Sequence, residues 1–181
     1  MKRFLFTALL ALPSAAFAQI PHDSLWSPMR YFIGSWVGEG EGKLGIGKYE
    51  RSYQWALNGS FLQIRNKAAY APQEKSPQGE IHEDIGYLSF NSVENRFMLR
   101  QFHVEGYIIE YKMDKLAADQ KRYNFISFEI ENIPVGWRAR ESYEIINQDE
   151  YVEVFELAPP GRDYEVYSKA TMKRRKPRFN G

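Results

Sequence analysis

The chain has 181 residues, 24 of them Lys or Arg and 23 Asp or Glu, with no cysteine and a formal charge of +1. Such a balance leaves no electrostatic footprint for nucleic acid, and without cysteine there is neither a disulfide framework nor a thiol for lipid attachment. Twelve Tyr, twelve Phe and four Trp must fill a core or line a cavity, because no apolar run beyond the N-terminus is long enough to cross a membrane.

In chain order, Lys2 and Arg3 precede an apolar run from Phe4 to Leu12, and Ala16-Phe17-Ala18 is an A-x-A cleavage site. The pattern predicts a secretory signal peptide over 1–18, cut after Ala18, and a periplasmic or secreted mature protein. Residues 19–27 read as a flexible approach in which His22 has no role, although Ser24–Ile33 carries one or two helical turns as a plug. Then comes Gly34-Ser35-Trp36-Val37-Gly38-Glu39-Gly40-Glu41-Gly42. Glycine weakens a strand, so glycines at period two imply that another group packs close against that face.

From there the dominant period is two. Strands are expected at Tyr49–Leu57 and Phe61–Ala69, joined at Asn58-Gly59, a strong hairpin signal. A polar loop with Pro72 and Pro77 follows. Further strands fit Asp84–Phe90, Phe97–Val104, Tyr107–Met113, Arg122–Glu129, Arg138–Ile146, Tyr151–Ala158 and Tyr164–Arg174, with Leu116–Lys121 as a turn. The expectation is one all-β domain over 28–175, about ten antiparallel strands closed into a barrel, since closure removes exposed edges. A flat sandwich is the alternative. Lys173, Arg174, Arg175, Lys176 and Arg178 make a basic end whose tail is 176–181, either a solvated terminus or a peripheral contact for an anionic membrane surface.

No sequence element marks catalysis. There is no G-x-S-x-G elbow, and the glycine strand lacks the Lys-Ser/Thr of a phosphate loop. No H-x-H, H-E-x-x-H or Cys/His spacing suggests a dedicated zinc site. The carboxylates Glu39, Glu41, Glu153 and Glu156 read as solvated barrel exterior. Strand parity puts His82 on one face with Asp84, Gly86 and Leu88, and His103 on one face with Gln101, Leu99 and Phe97. Arg51 shares a face with Tyr49, Tyr53 and Trp55, and Arg100 with Met98 and Phe102. An Arg among aromatics inside a barrel can grip a ligand carboxylate bidentately, and an internal ion pair is the competing reading. The candidate ligand-binding residues are therefore Trp36, Arg51, Trp55, His82, Arg100, His103 and Tyr167.

Three segments carry a family resemblance. The block Gly34-x-Trp36-x-Gly38-x-Gly40-x-Gly42 resembles the opening of nitrobindin-like, haem-binding β-barrels and their lipocalin-like (calycin) relatives. His82-x-Asp84-x-Gly86-Tyr87 is similar to the His-x-Glu-x-Gly-Tyr of that family, and Tyr167-Ser168-Lys169-Ala170-Thr171-Met172-Lys173-Arg174 to its closing strand. The resemblance implies a ten-strand calycin-like barrel with a ligand pocket at one end. It further implies a haem b site with peroxynitrite or nitric-oxide chemistry. His82 would line the distal side, and Tyr167 would stand in the closing-strand position where the family has a histidine ligand to ferric iron. Three functions follow: an exported barrel for a small hydrophobic or amphipathic ligand, a haem protein, or a ligand-free interaction module.

Overall fold

The computed structural model describes residues 22–114 and 121–176. The segment expected to be a signal peptide, nearly all of the turn expected at Leu116–Lys121 and the end of the basic tail lie outside the described residues. Ten strands follow a short helix α1 (His22–Leu25) and a 3-10 turn (Ser27–Phe32). They are β1 (Gly34–Gly42), β2 (Gly45–Ala56), β3 (Phe61–Tyr70), β4 (Glu80–Asn91) and β5 (Arg96–His103). β6 (Ile108–Met113), β7 (Arg122–Glu131), β8 (Arg138–Asn147), β9 (Glu150–Ala158) and β10 (Glu165–Arg174) complete the sheet. Each strand pairs antiparallel with its sequence neighbours and β1 pairs with β10, so the sheet is a closed barrel.

Alternation sorts the side chains. On β2, Tyr49, Arg51 and Tyr53 are buried while Lys48, Glu50 and Gln54 are exposed. β2 and β4 each begin four residues before the apolar pattern indicates, because Gly45–Lys48 and Glu80–Glu83 contribute few large core side chains. The Asn58-Gly59 signal marks a real turn, but the loop runs 57–60, with Leu57, Asn58 and Gly59 all at positive φ. In the polar loop, Gln73 bonds both the backbone N–H and the carbonyl of Ile46, each at 2.8 Å, and so ties the loop to β2.

One end of the barrel is sealed by aromatic side chains. Trp26, Met29 and Phe32 are buried beneath the strands, with the Phe32 ring centred 5.3–5.6 Å from those of Tyr53, Tyr123, Tyr143 and Tyr151. Trp36 is fully buried there, and its indole N–H donates to the Phe32 carbonyl at 2.7 Å. Trp55 joins this plug through an edge-on contact with Trp26, ring centres 5.2 Å apart. The basic end contributes as well. Arg174, on β10, donates to the carbonyls of Ile33 and Tyr31 at 2.8 Å and lies 4.1 Å from the centre of a Trp36 ring, so it fastens plug to barrel.

The period-two glycines of β1 have a steric cause at the β1–β10 closure. A Cβ on Gly40 would sit 2.7 Å from the Ala170 Cα and closer still to the Lys169 carbonyl oxygen. Equivalent backbone contacts stand against Gly38 and Gly42. Gly40→Val should therefore force the seam apart, costing at least about 3 kcal/mol, the upper range for overpacking. A thermal melt by circular dichroism should fall by roughly 6 °C or more. Glu39→Val, on the outer face, is the control and should melt near the wild type.

Candidate functional site

Above the aromatic plug the barrel interior changes character. Arg51, Asn66, Asp84, Gln101, Glu141 and Glu153 are all buried inside it. Register accounts for the first three: Arg51 pairs with Asn66 across β2–β3, and Asn66 with Asp84 across β3–β4, so they form one inward row. Arg51 reaches past β1 and β10 to β9. Its Nε donates to Glu153 Oε2 at 3.0 Å and a terminal nitrogen to Oε1, while the other terminal nitrogen donates to the carbonyls of Glu50 and Lys67. Asn66 donates to Asp84 Oδ1 at 2.8 Å. Glu141 accepts from Gln101 at 3.2 Å and from the Tyr143 hydroxyl at 2.7 Å. Gly86 makes room for this contact, since a Cβ there would lie 3.1 Å from the Gln101 side chain.

This layer floors a cavity of about 440 Å³ that opens at the far end of the barrel. Its walls are largely apolar, with Tyr49, Ala68, Ile109, Ile130, Phe155 and Leu157 above the floor and Trp137 nearer the loops. Five carboxylates line it (Glu80, Asp84, Glu105, Glu141 and Glu153) against a single arginine, which is already paired. Burial raises the Asp84 carboxyl to about 6, against the pull of Arg51 and His82. Burial, then the charge of Glu153, raises Glu141 to about 7. Among the described residues, Asn66 Oδ1, Gln101 Oε1, His103 Nε2 and the Tyr111 hydroxyl are buried without a protein hydrogen-bond partner. All four belong to the polar layer or border it, and Asn66 and His103 line the cavity.

The histidines meet on one wall. Asp84 faces His103 across β4–β5, and His82 stands two residues before Asp84 on the same face. His82 Nδ1 lies 2.6 Å from Glu105 Oε1, and its Nε2 is 3.4 Å from His103 Nδ1 and 3.8 Å from Asp84 Oδ2. The His103 ring stacks on Tyr107 with centres 4.2 Å apart. Burial, helped by His82, pushes His103 down to about 3, so its imidazole is neutral.

Of the residues singled out in the sequence, Arg51, His82, His103 and Tyr167 line this cavity together. Trp36 and Trp55 lie in the plug at the closed end, and Arg100 faces outward in ion pairs with Glu110 and Glu131. Arg100 is excluded by its own parity, which is opposite to that of the buried Leu99 and Gln101. Glu153, read as solvated exterior together with Glu156, is instead buried against Arg51. Residues three apart on a strand point to opposite faces, so one of that pair had to turn inward. Tyr167 sits at the bulge between Val166 and Ser168 and packs edge-on against Phe155.

Among solved structures, the crystal structure of Rv2717c from M. tuberculosis matches with a TM-score of 0.60 at 18% identity, covering 84% of this chain and 98% of that one. A de novo designed fluorescence-activating β-barrel matches with a TM-score of 0.41 at 13% identity, over 81% of this chain and 95% of its own. No protein-family model and no curated protein matches the chain. The likeness to Rv2717c bears on the fold: a ten-stranded antiparallel barrel of the calycin-like kind.

Glu141 gives the layer a measurable signature. Its carboxyl titrates near the ordinary 4.5 in the unfolded chain and at about 7 in the folded one, so in that interval the folded state holds the extra proton. Stability contributed by this group is therefore present at low pH and lost as pH rises from about 4.5 through about 7. Glu141→Gln should flatten the fall. Its Tm should exceed the wild type's by about 2 °C or more at pH 8 and approach it at pH 5. An unchanged pH–Tm slope would contradict a buried, proton-holding Glu141.

Proposed function

We propose that the protein is an exported carrier barrel that takes one small amphipathic molecule into the open-end cavity. The observation that carries this reading is an apolar-walled cavity set over a buried acidic layer. A volume of about 440 Å³ falls in the range of pockets that enclose a small ligand. The apolar body would contact Ile109, Ile130, Phe155 and Leu157, with the head directed at the acidic floor. That head is neutral or cationic and donates hydrogen bonds. Of the two readings of Arg51, a carboxylate grip or an internal ion pair, the contact with Glu153 favours the ion pair, and the other lining carboxylates repel an anion. Export rests on the signal-peptide pattern alone, and binding rather than catalysis rests on the absence of a nucleophile or phosphate-loop motif from the sequence. Among the described residues of the basic end, Lys173 and Lys176 are the cations left for a peripheral membrane contact, because Arg174 and Arg175 are held by the plug and by Glu50.

Native mass spectrometry of the purified protein should show a co-purifying small molecule. Fluorescence of Trp137 should report saturable binding of a medium-chain alkyl amine and the matching alcohol. The carboxylate of equal length should bind at least about tenfold more weakly, equivalent to about 1.4 kcal/mol. Equal or tighter binding of the acid would reject the acidic-floor reading, and no binding of any of the three would favour the ligand-free module.

Haem finds less support in the residues present. Burial raises the Tyr167 phenol, and Glu80 and Glu105 raise it further, so the phenolate needed to ligate ferric iron is disfavoured. The carboxylate floor is likewise a poor neighbour for propionates. Titration with haemin should give a weak Soret shift or none. Tight binding by the wild type with a phenolate-type spectrum would restore the haem reading.

A further inference from the structure

We propose that His82, His103 and Asp84 form a site for one divalent transition-metal ion of the zinc class, set in the cavity wall with its remaining coordination positions open to the cavity. The three donor atoms, two ring nitrogens and one carboxylate oxygen, all lie within 4.8 Å of one another. Zinc holds nitrogen at about 2.0–2.1 Å and carboxylate oxygen at about 2.0–2.2 Å, so tetrahedral ligands stand roughly 3.3–3.5 Å apart. His82 Nε2 and His103 Nδ1 are already 3.4 Å apart, and Asp84 Oδ2 is 3.8 Å from the former. The third pair, His103 and Asp84, lies within 4.8 Å, so side-chain movement of up to about an ångström completes the set.

Outer hydrogen bonds orient two of these donors, His82 and Asp84, as a metal requires. Glu105 accepts the His82 Nδ1 proton at 2.6 Å, which leaves the Nε2 lone pair directed at His103 and Asp84. This is the carboxylate–histidine–metal arrangement. Asn66 occupies Asp84 Oδ1 and leaves Oδ2 for the ion, while stacking on Tyr107 fixes the plane of His103. The backbone holds the spacing, since Asp84 and His103 are register partners and His82 shares their face. Two imidazoles and one carboxylate suit zinc, cobalt, nickel or ferrous iron, and not the hard, oxygen-seeking calcium or magnesium. Five lining carboxylates against one arginine give the cavity a field that concentrates cations. The sequence conceals the site because its third ligand comes from the next strand rather than from a local His-x-His.

The test uses tag-free, chelator-treated full-length protein with no organic ligand added, so its result is independent of the carrier reading. Isothermal titration with Zn²⁺ should give one equivalent bound with a Kd below about 10 μM, about 7 kcal/mol of binding free energy. Co²⁺ should give the visible absorption of a low-coordinate nitrogen–oxygen site. His103→Gln and His82→Gln should each weaken binding by about 100-fold or more. Glu105→Gln, which touches only the second nitrogen of His82, should weaken it about 10–100-fold. His22→Ala should leave it unchanged. Near-UV circular dichroism verifies the fold of each variant. Absence of saturable binding by the wild type, or binding unaltered in both His→Gln variants, would overturn the proposal.

Discussion

The Arg51–Glu153 pair joins β2 to β9, strands separated in the barrel by β1 and β10. The intervening strands carry Gly38, Gly40 and Ala170 along their seam. A side chain on Gly38 or Gly40 would break the close backbone approach that closes the sheet. A buried ion pair is tolerated only when the remaining donors are satisfied, and Arg51 meets this condition through the Glu50 and Lys67 carbonyls. Its removal would leave Glu153 charged and uncompensated, a class of change that costs about 3–5 kcal/mol. One interaction thus couples the closure of the barrel to the electrostatics of its interior.

What the pair withholds matters as much as what it joins. An arginine inside a ligand-binding barrel would ordinarily attract an anion, but this one has its bidentate face occupied. Asp84 and Glu141 are then left with neutral hydrogen-bond partners, Asn66, Gln101 and Tyr143. Their raised pKa values follow from burial without a dedicated cation, and both groups sit part-protonated near neutrality. Glu141 can therefore give up its proton when a positive group such as an amine head arrives.

The fold was legible in the sequence because barrel closure leaves a periodic record. Alternation, hairpin glycines and the Trp36 glycine block each follow from a local steric rule, and the observed strands differ mainly at glycine-rich or polar ends. The site was legible only where an unusual residue type stood on a strand, as with Arg51, His82 and His103. Its acidic half was hidden, because a strand glutamate is read as solvent-facing unless its partner is known. The partner of Glu153 lies 102 residues away. Glu141 carried a signal that could have been used: it shares parity with Tyr143 on β8, an inward aromatic at i+2.

The division of labour along the barrel axis argues that the polar layer is there for a reason other than folding. The plug, with Trp26 and Trp36 and with Phe32 packed against four tyrosines, supplies an apolar core whose charged fastening, Arg174, lies at its edge. Two strand positions higher the pattern is reversed: carboxylates are buried, two of them with neutral partners, and among the described residues four polar atoms in or beside the layer lack protein partners. Apolar residues of similar volume at Asp84, Gln101 and Glu141 would make the chain more stable, since each now resists burial. Such groups beneath an open, apolar-walled cavity put the costliest layer of the barrel where the proposed ligand would bind. The barrel is built so that its least stable layer is the one that a ligand would meet.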